Sequence, residues 1–148
     1  MSIDKLYNSF SDHAGRLKSF SLLALRLVLA YGFFQPAMNK VGNVSGIAEW
    51  FGSMNYPLPL FNAYLATGTE VLGVILLTFG LGTRIISIPL IIVMLVAIFT
   101  VHLSNGFAAA DNGFEIALYY GLMLLILLTH GAGKISLDHL IGNIRKKS

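Results

Sequence analysis

Four long apolar runs dominate the pattern of hydrophobic and polar positions along the chain. They cover residues 20–37, 60–81, 85–102 and 114–129. A helix needs roughly 20 mostly apolar residues to cross about 30 Å of hydrocarbon, and each run is close to that length. The pattern therefore predicts an all-α protein in which four transmembrane helices form a single membrane domain spanning residues 1–148.

Three shorter segments carry apolar residues at helical spacing. They are Ile3, Leu6, Tyr7 and Phe10; Ile47, Trp50, Phe51 and Met54; and Leu137, Leu140, Ile141 and Ile144. Such patterns predict amphipathic helices that lie on the membrane surface. For the segment around Trp50, simple packing within the loop after the first run is the alternative.

The connections and the start of the chain add two expectations. Only Gly82, Thr83 and Arg84 separate the second and third runs, so those helices should be antiparallel neighbours. The first run begins late, contains Arg26 and is not followed by an Ala-x-Ala site. We therefore expect a retained helix rather than a cleaved signal peptide.

Composition supports a membrane protein, because 55% of the residues are hydrophobic and only 11% are charged. Soluble domains carry about a quarter charged residues. Cysteine is absent, so redox chemistry would need a borrowed cofactor or a partner protein. The basic residues flank apolar runs without an aromatic-basic stripe, which argues against a nucleic-acid partner.

Two charged residues lie deep within the apolar runs. At a rise of 1.5 Å per residue, Arg26 lies about 9 Å above the inner boundary and Glu70 about 15 Å below the outer one. An isolated charge at such depth costs on the order of 3 kcal/mol, so we expect the two side chains to face the bundle interior and to pair. The pair could be purely structural, or Glu70 could be a ligand-binding or proton-accepting carboxylate.

A second polar group is predicted near the outer ends of the helices. Its members are Gln35, Lys40, His102 and Glu115. With Glu70 as a floor, they outline a pocket that opens outwards, although polar residues at helix ends often only contact headgroup water. No His-x-x-x-His or Glu-x-x-His pair is present, so a metal site at this level is disfavoured.

An ordered set of short motifs resembles the DoxX family of small four-helix membrane proteins. The motifs are Leu25-Arg26-Leu27 with Phe34 and Lys40; Pro57-Leu58-Pro59; Glu70 to Gly73; Gly80 to Arg84; Met94 to His102 with Gly106-Phe107; Gly113-Phe114-Glu115; and Gly131 to Gly133 with Ser136 to Asp138. No single motif is specific, but their order and spacing match from Leu25 to Ile141.

The resemblance implies a redox setting, since family members are linked to quinone-coupled sulfur oxidation or to complexes that handle oxidative stress. We therefore expect a redox-associated accessory or subunit of a bacterial inner membrane that binds a quinone-like molecule within the bundle. Trp50, Phe51 and Tyr56 could form its lid. Two points stay open. One is whether the protein catalyses a reaction, at most as an oxidoreductase subunit. The other is whether it binds redox proteins or further copies of itself. A non-enzymatic scaffold and, less favoured, an oligomeric transporter are the alternatives.

The distribution of basic residues predicts that both termini are cytoplasmic. On one side of a four-span chain lie Lys5, Arg16, Lys18, Arg84, Lys134, Arg145, Lys146 and Lys147; the other carries only Lys40. In this cysteine-free chain, a cysteine introduced between Lys40 and Tyr56 should react with an impermeant thiol reagent added from outside, and one introduced beside Arg145 should not. The opposite labelling pattern would overturn this orientation.

Overall fold

The structure is a computed structural model that describes residues 15–146, and the regular elements in this part of the chain are all helical. The helices are α1, Lys18–Gly42; α2, Val44–Ser53; α3, Pro59–Phe79; α4, Thr83–Ala97; α5, Glu115–His130; and α6, Leu137–Arg145. A π-helical turn, Ile98–His102, continues α4, and short 3-10 turns follow at Leu103–Asn105 and Ala109–Asp111. The all-helical prediction is confirmed for this part, whereas the amphipathic segment predicted at residues 3–10 lies outside it.

Three helical segments are long and apolar enough to cross a membrane. These segments are Lys18–Gly42, Pro59–Phe79 and Thr83–Asn105, and an 18-residue window within each has a mean hydropathy of 1.4, 1.5 and 2.6, respectively. The fourth predicted span corresponds to α5, which is apolar but has only 16 residues. Helices of this length and hydropathy are typical of an integral membrane protein. The exact number of spans stays a prediction.

Helices α1, α3, α4 and α5 pack in a ring, in which α1 contacts α3, α3 contacts α4, α4 contacts α5, and α5 closes onto α1. Consecutive members of the ring run in opposite directions. Its centre is filled by fully buried leucines, among them Leu29, Leu77, Leu90 and Leu124. Large apolar side chains at outward positions, such as Ile85, are exposed. This is expected where lipid replaces water around a helix bundle.

The two short amphipathic helices predicted after the first run and near the C-terminus are confirmed as helices. Asn43 caps α2, because its side-chain oxygen accepts a hydrogen bond from the Gly46 N–H at 3.0 Å. Helix α2 packs along α3. Ser136 caps α6 in the same way, and the apolar side chains of Leu140 and Ile144 are exposed on it. That either helix lies on a membrane surface stays a prediction.

The tight turn between α3 and α4 leaves polar backbone groups without helical partners. Gly80 and Gly82 adopt positive φ angles of 65° and 57°, and the Leu81 N–H closes the end of α3 on the Leu76 carbonyl at 3.0 Å. The next two carbonyls of α3, at Leu77 and Thr78, then need other donors, because the last four carbonyls of a helix have no partner within it.

Arg26 supplies those donors from α1. Its Nη1 lies 3.1 Å from the Leu77 carbonyl oxygen and 3.5 Å from that of Thr78, and its Nη2 donates to the Ile135 carbonyl. Only 1% of the residue is exposed. A cation at the C-terminal end of a helix is also favoured by the helix dipole. Arg26 therefore ties α1 to the end of α3 and to the segment before α6.

Asp138 binds the free backbone N–H groups of the same turn. Its Oδ1 accepts a hydrogen bond from the Gly82 N–H at 2.7 Å, and its Oδ2 accepts one from the Thr83 N–H at 3.1 Å. The Asp138 N–H in turn donates to the Gly80 carbonyl at 3.0 Å. A carboxylate is thus bound at the N-terminal end of α4, where the free N–H groups favour negative charge. The start of α6 is thereby fixed beside the turn.

The predicted pairing of Arg26 with Glu70 is wrong. Arg26 bonds to backbone carbonyls at the turn, whereas Glu70 forms a salt bridge with Lys40 at 2.7 Å. Leu77 lies seven residues beyond Glu70, which is about 10 Å along α3 at 1.5 Å per residue. The antiparallel register of α1 on α3 therefore brings Lys40 to the level of Glu70. Arg26 instead donates hydrogen bonds to the unpartnered carbonyls at the end of α3.

This arrangement predicts that Arg26 and Glu70 contribute to stability independently. Replacing Arg26 by Met should lower the free energy of unfolding by about 1–3 kcal/mol or more, because buried carbonyls lose their donors. Combining Arg26→Met with Glu70→Gln should give losses that add to within about 0.5 kcal/mol, as for distant sites. Unfolding in mixed detergent measures both, with the exposed Lys146→Gln as the control. A coupling well above that margin would contradict the separation.

Candidate functional site

A cavity of about 510 Å³ lies at the end of the bundle opposite the α3–α4 turn. Its walls are formed by the C-terminal half of α1, by α2 and by the middle of α3. The end of α4 with its π-helical turn and the first turns of α5 also contribute. Residues 109–113 of the connecting loop complete it. All four helices of the ring thus contribute to one cavity.

The lining is mainly apolar with a few polar groups. The apolar residues include Phe33, Pro36, Trp50, Phe51, Ala66, Val93, Met94, Ala97, Ile116 and Ala117. The polar side chains are those of Lys40, Tyr56, Glu70, Thr100, His102, Asn112 and Tyr120. A mostly hydrophobic pocket with a small number of placed polar groups is the usual form of a small-molecule site, and such sites occupy roughly 300–1,000 Å³.

The Lys40–Glu70 ion pair is the strongest polar interaction of the cavity. Lys40 Nζ lies 2.7 Å from both carboxylate oxygens of Glu70. Helix α1 runs to Gly42, past the predicted end at Ala37, and so presents Lys40 from its last turn. The Glu70 side chain is only 3% exposed, whereas that of Lys40 is 21% exposed. Among the carboxylates that the structure describes, only Glu70 is buried, and its contact with Lys40 offsets part of the cost of burying its charge.

A row of three aromatic rings forms one wall. The ring centroids of Trp50 and Phe51 lie 5.4 Å apart, and Phe51 stacks on Tyr56 at 5.1 Å. The Tyr56 hydroxyl is buried and has no hydrogen-bond partner among residues 15–146. Buried tyrosine hydroxyls usually have a partner, so this group is available to a bound molecule. The three aromatics predicted as a lid do line the cavity.

His102 reaches the cavity from the π-helical turn at the end of α4. Single π-helical turns are rare and occur often at functional sites, because the extra residue changes the direction of the side chains that follow. The Nδ1 atom lies 2.8 Å from the Asn112 carbonyl oxygen. Since a carbonyl oxygen can only accept a hydrogen bond, Nδ1 carries the hydrogen in this contact. In the neutral ring, Nε2 is then the acceptor.

The structure brings together three of the six polar residues selected from the sequence, namely Lys40, Glu70 and His102. Arg26 lies at the other end of the bundle. Gln35 is exposed and donates to Asn39 Oδ1 at 2.9 Å. Glu115 Oε2 accepts a hydrogen bond from the Ala109 N–H at 2.9 Å and so fixes the loop before α5.

Tyr120 and Gly32 are cavity residues that the sequence did not reveal. The Tyr120 hydroxyl occupies the space that a Cβ at Gly32 would fill, so α1 and α5 approach closely only because residue 32 has no side chain. The rings of Phe33 and Tyr120 pack with centroids 5.5 Å apart. Tyr120 lies in a run that is apolar on all faces, so the sequence carries no signal for the direction of its side chain.

Within residues 15–146, no group of three or more His, Asp or Glu side chains is arranged to hold a metal ion. The polar groups at the cavity are instead an ammonium, two phenols, a hydroxyl, an amide, an imidazole and a carboxylate. This set suits hydrogen bonding to carbonyl or hydroxyl oxygens of an organic molecule.

The chain belongs to the DoxX family, whose model matches residues 21–103. An uncharacterized protein of Haemophilus influenzae is 38% identical over 128 residues, which are 84% of this chain and 85% of the relative. A Bacillus subtilis protein named "Putative oxidoreductase CatD" is 36% identical over 92 residues, which are 61% of this chain and 67% of that protein. A second uncharacterized Haemophilus influenzae protein is 32% identical over 84% of this chain and 92% of its own length. No solved structure matches the chain significantly.

The asymmetric burial of the ion pair predicts an asymmetric mutational response. Lys40→Met should lower the free energy of unfolding by about 3–5 kcal/mol, because Glu70 is left without a cation in an apolar surrounding. Glu70→Gln should cost less, since Lys40 lies at the bundle end and its ammonium can extend to water. The double replacement Lys40→Met with Glu70→Gln should recover part of the Lys40→Met loss.

Unfolding of the four proteins in mixed detergent gives the coupling energy of the pair. The exposed pair of replacements Lys134→Met and Glu49→Gln provides a control, for which no coupling is expected. Equal losses for Lys40→Met and Glu70→Gln, with no coupling between them, would argue that the ion pair does not hold α1 on α3.

Proposed function

We propose that this protein is a redox-associated membrane protein that binds a quinone-like small molecule in the cavity between its helices. The observation that carries the proposal is the buried Lys40–Glu70 pair within an otherwise apolar cavity. Charged residues in such a setting are energetically costly, and they usually serve a structural or functional purpose. Here the pair borders space that a ligand can fill.

The size and polarity of the cavity support this ligand class. Its volume of about 510 Å³ accommodates a substituted aromatic ring with part of an apolar tail. The flat ring would lie beside Trp50, Phe51 and Tyr56, which offer stacking surfaces. An apolar molecule of this type partitions into a bilayer and reaches a membrane protein directly.

The polar groups match the oxygens of such a ring. A quinone carbonyl accepts hydrogen bonds, and the Tyr56 hydroxyl is a buried donor without a partner in the described residues. Lys40, which also lines the cavity, offers further N–H donors. A hydroquinone also donates, and Glu70 and the His102 ring can accept. The residues thus bind both redox forms, and the electrons would be exchanged with a partner protein.

Relatives support the redox setting without defining a reaction. The Bacillus subtilis relative carries a name that describes it as an oxidoreductase. Its similarity covers 61% of this chain. We extend to this protein only the association with redox chemistry, in the role of an accessory or subunit.

We further propose four membrane spans with both termini on the cytoplasmic side. Lys134 and Asp138, which follow α5, contact Ser19 and Gly82, so the chain is back at the level where α1 starts. A fourth crossing by α5 and its flanking residues explains this return. The cavity would then face the outer side of a bacterial inner membrane.

A fluorescence titration tests the ligand, because Trp50 is the sole tryptophan of the chain and lines the cavity. A short-chain ubiquinone analogue added to the protein in lipid nanodiscs should quench this tryptophan saturably. Tyr56→Phe should weaken binding about fivefold to tenfold, the equivalent of one hydrogen bond. Glu70→Gln and His102→Ala should weaken it at least as much, while the proteins stay folded and inserted.

Matched variants outside the cavity provide the controls. Tyr64→Phe and His130→Ala change the same residue types at exposed positions, and binding should stay within about twofold of that of the unmodified protein. Linear quenching that is identical in all variants would reject a quinone site in the cavity. In that case, normal cellular function per folded molecule of the Glu70→Gln protein would favour the scaffold alternative.

A further inference from the structure

A second cleft lies at the other end of the bundle, beside the α3–α4 turn. Its volume is about 390 Å³. The start of α1, the end of α5 and residues 132–134 form its walls, and the start of α6 closes it. The Lys134 N–H lies 3.4 Å from Ser19 Oγ, so the two sides of the cleft are in contact at its base. This cleft contains none of the residues that line the quinone cavity.

The charged and titratable side chains of the cleft are mostly cationic or basic. They are Lys18, His130, Lys134 and His139, with Asp138 as the single carboxylate. Both oxygens of Asp138 already accept backbone N–H groups of the turn. Within residues 15–146, the only salt bridge is that of Lys40 with Glu70, so neither lysine of the cleft is paired there. The cleft therefore attracts a negative group.

Exposed apolar side chains lie on two of the helices that contribute to the cleft. Phe20, beside Lys18 on α1, is 64% exposed, and Leu140 and Ile144 on α6 are 56% and 66% exposed. Exposed apolar side chains next to lysines are typical of the boundary between lipid tails and headgroups, where lysine stems cover apolar surface and the ammonium reaches the polar layer. Basic pockets at this level between helices bind phosphate-bearing headgroups.

We propose that this cleft binds the phosphate group of an anionic ligand, with Lys18 and Lys134 as its main contacts. The two lysines come from different segments of the cleft wall, Lys18 from α1 and Lys134 from the residues after α5, and together neutralise the phosphate, while the ring nitrogens of His130 and His139 offer additional hydrogen bonds. The phosphate belongs either to the headgroup of an anionic lipid or to a soluble molecule. Occupancy would link α1, α5 and α6 at the end of the bundle where the turn is already fixed by Arg26 and Asp138.

Native mass spectrometry of the purified full-length protein in detergent tests the proposal. With equimolar phosphatidylglycerol and phosphatidylcholine, the unmodified protein should retain the anionic lipid preferentially. The double variant Lys18→Gln with Lys134→Gln should bind it about 25-fold more weakly, at about fivefold for each lysine. The matched variant Arg145→Gln with Lys146→Gln removes the same charge from the same end outside the cleft and should retain the preference.

Competition distinguishes the two sources of phosphate. Displacement of the anionic lipid by millimolar inorganic phosphate would identify a soluble phosphate ligand, and retention would identify a lipid headgroup; both support the site. Equal retention of the two lipids by the unmodified protein would overturn it whatever the variants do. Equal losses in the two double variants, with unchanged melting temperatures, would also overturn it, because general basic charge would then account for binding.

Discussion

The need to satisfy buried charge within an apolar bundle governs this structure. Arg26 is almost fully buried, and its guanidinium finds its partners in backbone carbonyls that the end of α3 cannot satisfy by itself. Asp138 does the reverse for the N–H groups that begin α4. These two side chains convert a three-residue connection between helices into a fixed junction of α1, α3, α4 and α6, on which the register of the remaining helices depends.

The charged side chains at the two ends of the bundle have different kinds of partner. At the turn, backbone groups are the hydrogen-bond partners of both charged side chains. At the opposite end, Lys40 and Glu70 satisfy one another but border an open cavity, where the Tyr56 hydroxyl has no partner among the described residues. The site that we propose for a ligand thus lies at the end of the bundle opposite this junction.

The region that matches the DoxX family, residues 21–103, contains charged residues from both ends of the bundle. Arg26, Lys40, Glu70 and His102 all fall within it. Helices α5 and α6, with Asp138, lie beyond the residues that the family model matches. The cavity is therefore largely a property of the matched region, whereas the basic cleft depends strongly on the end of α5, residues 132–134 and the start of α6.

The sequence by itself determined the helical class, the long apolar segments and the polar residues that had to be buried, since hydrophobic periodicity and the cost of membrane charge are local properties. It also identified Lys40, Glu70 and His102 as members of a polar group. It could not assign partners. Whether Arg26 meets Glu70 or a helix end depends on the axial register of α1 on α3, and Tyr120 reaches the cavity only because Gly32 lets α5 approach. Such contacts depend on rotation and offset between helices, which only the packed tertiary structure decides.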